Sequence, residues 1–194
     1  MMMRPKSALA AAGALLLAGC GLGGKTPDVL LNLTPEVTVP PQSGNMSSPE
    51  NAVTVVRPTV PQALDTTRVP VMTGQAVTYI PEAYWVDTPD QLFRRLLSET
   101  ISARTGRVVL DPLQFSFNPG NRLTGQLQHF GIDAQTRQAV VTYDAALARG
   151  ADSVATRRFE ARVPVAAIDR NNAAPALNAA ANQVAAQVAD WLGR

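Results

Sequence analysis

Cysteine and histidine each occur once among the 194 residues, and aromatic side chains make up only 5%. Each scarcity removes a class of chemistry. One cysteine cannot close a disulfide within the chain or build a cysteine-rich zinc site. The single histidine, His129 in Leu127-Gln128-His129-Phe130-Gly131, has no second histidine to complete a helix-borne zinc motif. Its setting is that of a surface or half-buried strand residue. There is no G-x-S-x-G elbow, no Walker loop and no dinucleotide fingerprint. The carboxylates are scattered: Asp87 and Asp90 flank a helix start, and Asp133 and Asp152 fall at turns. None of them is paired as a hydrolytic acid and base would be. The chain therefore reads as non-enzymatic, with no cofactor and no metal.

What the chain does have is an apolar beginning. Arg4 and Lys6 precede a nearly unbroken run from Ala8 to Ala18. That is the layout of a secretory signal, and the run is too short for the ~20 residues a membrane-spanning helix needs. It ends in Leu17-Ala18-Gly19-Cys20, which resembles the lipobox of bacterial lipoproteins. That resemblance implies cleavage between Gly19 and Cys20, with the Cys20 thiol carrying the lipid. The expected organisation is a signal peptide over residues 1–19, a lipidated, glycine-containing tether over 20–26, and one domain over 27–194. Gly21 and Leu22 follow the cysteine in place of an aspartate, so the expected location is the outer membrane, facing the periplasm. Without Arg4 and Lys6 the chain keeps 15 basic against 15 acidic residues. A neutral chain offers no electrostatic case for nucleic acid.

Along the domain, Asp28-Val29-Leu30-Leu31-Asn32-Leu33 reads as a first strand, and Pro40 to Glu50 as a loop. The β-branched run from Asn51 to Pro61 suits a strand buried on both faces, with Pro58 and Pro61 at its end or on an edge. Arg68 to Trp85 reads as a hairpin turning at Thr73-Gly74, with Val77 and Tyr79 alternating against Ala76 and Thr78. The strongest helix signal runs from Asp87 to Gly106. Thr88 is the candidate N-cap, Pro89 suits the first helical position, Asp90 complements the positive helix start and Gly106 closes the end. Leu92, Phe93, Leu96, Leu97 and Ile101 form its apolar stripe, with Arg94, Arg95, Ser98 and Glu99 opposite. Then come a short strand, two strands about Asn118-Pro119-Gly120-Asn121, and a meander continuing across Gly150-Ala151-Asp152. A last amphipathic helix carries Leu177, Ala181, Val184, Val188 and Leu192. This order predicts an α/β fold: one domain, a mixed, largely antiparallel sheet packed by two main helices.

Two clusters stand out as candidate docking residues. Tyr79, Tyr84 and Trp85 gather before the first helix of an aromatic-poor chain. They either fix the helix approach or form part of a partner surface, where Tyr and Trp are favoured. Arg157 and Arg158, beside Phe159, suit either solvent or an acidic partner or lipid headgroup.

Taken in order, these segments resemble the ABC-type transport auxiliary lipoproteins of the PqiC type. The matching features are Leu17-Ala18-Gly19-Cys20, Val60-Pro61 after the second strand, and Tyr79 to Trp85 leading into the helix. Asn118 to Leu127 follows, then Thr156 to Val165 and the Ala-, Asn- and Gln-rich last helix. The first strand, with Leu-Leu-Asn-Leu, lacks the tyrosine-rich start common in relatives. The resemblance implies a mixed-sheet α/β domain and a non-catalytic outer-membrane subunit, anchored by diacylglycerol and palmitate, that docks to or caps an MCE-domain protein. An ABC permease and ATPase would power lipid transport, with phospholipid contact and homo-oligomer formation open. The alternative is a periplasmic scaffold or assembly lipoprotein that binds another envelope protein without lipid transfer.

Overall fold

The computed structural model describes residues 29–40, 51–112, 121–150 and 153–193. The signal region, Cys20 and its tether, the loop over 41–50, the turn about Pro119-Gly120 and Asp152 lie outside these residues. Among the described residues, seven strands and two long helices follow in the order β1 (Val53–Val55), β2 (Arg68–Thr73), β3 (Ala76–Tyr84), α1 (Pro89–Thr105), β4 (Val109–Leu110), β5 (Asn121–Asp133), β6 (Gln138–Arg149), β7 (Ser153–Pro164) and α2 (Arg170–Leu192). The fold is the expected single α/β domain with a mixed sheet. No described helix is long and apolar enough to cross a membrane.

The sheet is organised by β5. One of its edges pairs antiparallel with β6 from Asn121↔Arg149 to Asp133↔Gln138, and β7 extends the meander beyond β6. The other edge is divided. Thr54 and Val55 of β1 run parallel to Arg122 and Leu123, Thr59 bridges Gln126, and Val71 and Met72 of β2 run parallel to Ile132 and Asp133. Two narrow wings therefore continue the sheet, β1 with β4 and β2 with β3. Close approach at the second wing requires a glycine. A Cβ on Gly131 would lie 2.6 Å from the carbonyl oxygen of Pro70.

Both helices cover one face of the sheet, and strand alternation supplies that face. Ala139, Val141, Tyr143, Ala145 and Leu147 of β6 point into the core, as do Leu123, Leu127, Phe130 and Ile132 of β5. Phe93 of α1 meets Tyr143 edge-on at 5.3 Å. The α1 stripe of Leu92, Phe93, Leu96, Leu97 and Ile101 is buried, as are Leu177, Ala181, Val184, Val188 and Leu192 of α2. Gly106 takes the left-handed conformation that ends α1, with φ 67°.

Several expectations are corrected. The first strand is reduced to one bridge, Leu31↔Trp85, because the chain then leaves the sheet to cross the helices. Asn178 Oδ1 accepts the Thr34 N–H at 2.8 Å, Asn182 Oδ1 accepts the Glu36 N–H at 2.9 Å, and Glu99 Oε1 accepts the Val39 N–H at 2.7 Å. The strand at Asn51 to Pro61 is only three residues long. Its Val53 and Val55 are buried while Thr54 is half-buried, so one face alone enters the core. Thr88 does stand at the N-cap of α1, but its side chain does not cap; its hydroxyl accepts from Arg57 Nη2 at 3.2 Å. The last helix begins earlier than its apolar spacing indicates, at Arg170, because the Asp169 carboxylate accepts the Asn172 N–H at 2.9 Å.

Candidate docking face

No described helix covers the second face of the sheet. Alternation sends the even-numbered residues of β6 and β7 there, and the register sets them in rows. In one row His129 lies opposite Thr142, which lies opposite Glu160. Thr142 Oγ1 donates to Glu160 Oε2 at 2.9 Å, and Arg162 Nε donates to Glu160 Oε1 at 2.7 Å. In the next row Arg158 grips Asp144 through Nε and Nη2, both at 2.6 Å, and Gln128 Nε2 adds a third donor at 3.1 Å.

These bonds determine the titration of the carboxylates. The Arg158 hydrogen bond holds Asp144 below the usual carboxylate range, and the Arg162 hydrogen bond does the same for Glu160. Asp133 is held low chiefly by the backbone N–H of Thr136. A general acid needs a carboxyl held up toward neutrality, and these three are held the other way. These three carboxylates are already compensated by neighbouring donors. Such a surface can bind.

Where this network meets the β2–β3 wing there is a cavity of about 350 Å³, lined by Met72, Val77 and Val140 and by His129, Asp133 and Arg162. His129 is exposed at its rim, in keeping with its reading as a strand-surface residue. It was not among the docking candidates. The signal that could have found the cavity is the apolar Met72-Val77 pair facing the hairpin turn.

The aromatic candidates separate. Pro70 pairs with Tyr79 and Arg68 with Tyr84, so both tyrosines share the helix-free face. The four residues between them stand opposite Val69 alone, an irregularity in which Glu82 takes φ 55° while Ile80 and Ala83 stay in the core. Arg68 lies over the first ring, its guanidinium carbon 4.3 Å from the centroid of Tyr79, and the Tyr79 hydroxyl donates to the Ala63 carbonyl at 3.3 Å. Trp85 points the opposite way. It is 1% exposed and meets Phe130 edge-on at 5.5 Å, so its ring offers no surface to a partner in this fold.

The arginines separate too. Arg158 lies on the helix-free face with Asp144, whereas Arg157 lies on the helix side, 5.2 Å over the ring of Phe159. Phe159 is itself buried against Trp191. Arg157 and Arg158 therefore do not form one patch.

Residues 31–189 match the family described as the ABC-type transport auxiliary lipoprotein component. The chain belongs to that family. The fold is similar to a crystal structure of a DUF330-family protein from Xanthomonas campestris, with a TM-score of 0.67 at 20% identity, covering 84% of this chain and 94% of that one. A second solved structure, of an uncharacterized protein, gives a TM-score of 0.63 at 18% identity over 73% of this chain and 92% of that one. The curated proteins contain no match to this chain. Its family is thus one of lipoproteins serving ABC-type transport, which carries membrane anchoring and an auxiliary role with it.

Proposed function

We propose that this protein is an outer-membrane lipoprotein, lipidated on Cys20 and facing the periplasm, that acts as the non-catalytic auxiliary subunit of an ABC and MCE lipid transport system. It docks to or caps the MCE component, while a separate ATPase supplies the energy. The observation that carries this reading is the family match over residues 31–189. The helix-free face supports it in kind, since it carries Tyr79 and Tyr84 as well as a polar network whose Asp133, Asp144 and Glu160 carboxylates are all held below the usual range by donors beside them. Tyr79, Tyr84 and Arg158 are the docking residues on that face, and Arg157 is a candidate on the other.

The test is capture of the lipidated protein from membranes. ABC permease, ATPase or MCE subunits should come with it, and the absence of all three would overturn the transport role. Separately, Cys20→Ser should accumulate as unprocessed precursor that takes up no labelled palmitate. Normal processing of that variant would overturn the anchor.

A further inference from the structure

Of the large apolar side chains left exposed among the described residues, three gather where the chain arrives from the tether: Val29 at 50%, Leu30 at 48% and Val86 at 45% exposure. They are brought together by the Leu31↔Trp85 bridge. The Leu31 N–H donates to the Tyr84 carbonyl at 2.7 Å and the Val86 N–H to the Leu31 carbonyl at 2.8 Å. This parallel register sets Leu30 beside Tyr84, and the antiparallel pairing on the other side sets Arg68 opposite Tyr84. A row therefore runs across three chain segments: an aliphatic side chain, a phenol and a guanidinium. Apolar bodies with polar or cationic tips are what the boundary between headgroups and acyl chains accommodates.

We propose that this end of the domain rests on the bilayer, with Val29, Leu30 and Val86 in the interfacial layer and Arg68 against anionic headgroups. The inference rests on lipidation at Cys20. Nine peptide units separate that cysteine from Val29 and span at most about 30 Å when fully extended. A domain of about 165 residues has a radius of gyration of about 15 Å and is wider than that span. The tether therefore keeps the Leu30 end within about 30 Å of the bilayer, less than the width of the domain, and the exposed apolar cluster sits at that end. The free edge of β7 lies across the sheet, with β2, β5 and β6 between it and β3.

The test uses the lipidated protein in vesicles of phosphatidylethanolamine and phosphatidylglycerol containing doxyl-labelled lipid. Cys20 is consumed by its lipid, so Leu30→Cys, Val86→Cys and Val154→Cys each offer one free thiol for an environment-sensitive fluorophore. Val154, 69% exposed on β7, is the control. Probes at Leu30 and Val86 should shift to shorter emission wavelength and lose intensity to the doxyl groups, while the probe at Val154 does neither. If the vesicles carry the protein but all three probes behave alike, the orientation is overturned and the anchor stands. Probes at Leu30 and Val86 that are shielded from aqueous iodide but not quenched by doxyl lipid would show a protein cover, which also overturns it. Failure of the protein to float with vesicles would overturn the anchor and the orientation together.

Discussion

Asn182 on α2 donates from Nδ2 to the Thr34 carbonyl at 2.9 Å while its Oδ1 accepts the Glu36 N–H at 2.9 Å. One buried amide, 3% exposed, thus satisfies both a carbonyl and an N–H of a segment that lies in no sheet. Asn182→Leu should lower unfolding free energy by about 1–3 kcal/mol, since two backbone groups lose their partner. Denaturant titration measures the loss, and faster hydrogen exchange at Glu36 would locate it. Asn182→Asp should not rescue, because a carboxylate cannot donate to Thr34.

Arg57 and Asp90 give a pH-dependent prediction. Burial pushes the Asp90 carboxyl up, but the Arg57 hydrogen bond, the Thr88 hydrogen bond and the Arg57 charge outweigh it, leaving it below the usual range. The unfolded chain then binds more protons than the folded one, so this stability is present in full above the ordinary carboxylate pKa of about 4 and is lost as pH falls through the lowered value. Arg57 is 48% exposed, which keeps the pair short of a fully buried one; Asp90→Asn should cost about 1–2 kcal/mol at pH 7. The gap between variant and parent should close as pH falls below 4, which urea titrations across pH would reveal.

The structure makes opposite demands on two adjacent aromatic residues. Trp85→Ala opens a cavity against Phe130 and should cost about 3–5 kcal/mol. Tyr84→Ala, on the helix-free face, should change stability by less than about 1 kcal/mol yet weaken capture of the membrane partners. Equal loss of stability in both would remove Tyr84 from the docking surface.

Much of this fold was legible in the sequence because local rules governed it. α1 carries a proline at its first position, a five-residue stripe and a glycine stop, and the β5–β6–β7 meander and the β2–β3 hairpin announce themselves by turn chemistry. What stayed hidden depended on partners distant in the chain. Alternation does not say that β1 and β2 will share one edge of β5, nor that Leu31 alone will pair. Tyr84 and Trp85 look alike as candidates, and only the register across Arg68 turns one out and the other in. Asn178 and Asn182 are four residues apart beside the apolar stripe of α2, a spacing that marks one helical face, but nothing local says that a backbone will lie along it.

Two glycines should resist replacement for reasons of space. A Cβ on Gly125 would stand 2.2 Å from the Asp144 carbonyl oxygen and 2.7 Å from the Tyr143 ring, and one on Gly131 would stand 2.6 Å from the Pro70 carbonyl oxygen. Gly125→Ala and Gly131→Ala should each cost roughly 1–3 kcal/mol through forced backbone shifts. Gly131→Ala should also raise exchange at the Ala134 amide, which donates to the Met72 carbonyl at 2.9 Å. Thermal melts of both variants, with exchange on the second, check this.

The divided edge of β5 has a kinetic consequence. The antiparallel meander from β5 to β7 joins neighbours in sequence, whereas both parallel wings must wait for a strand made long after them. Distant pairings carry the larger loop-closure cost and slow folding. The meander should therefore form the nucleus, with amides of β6 protected in pulse-labelled exchange before those of Val71 and Met72. The β2–β3 hairpin that carries Tyr84 and Arg68 would then join the sheet late, when it docks on a meander already formed.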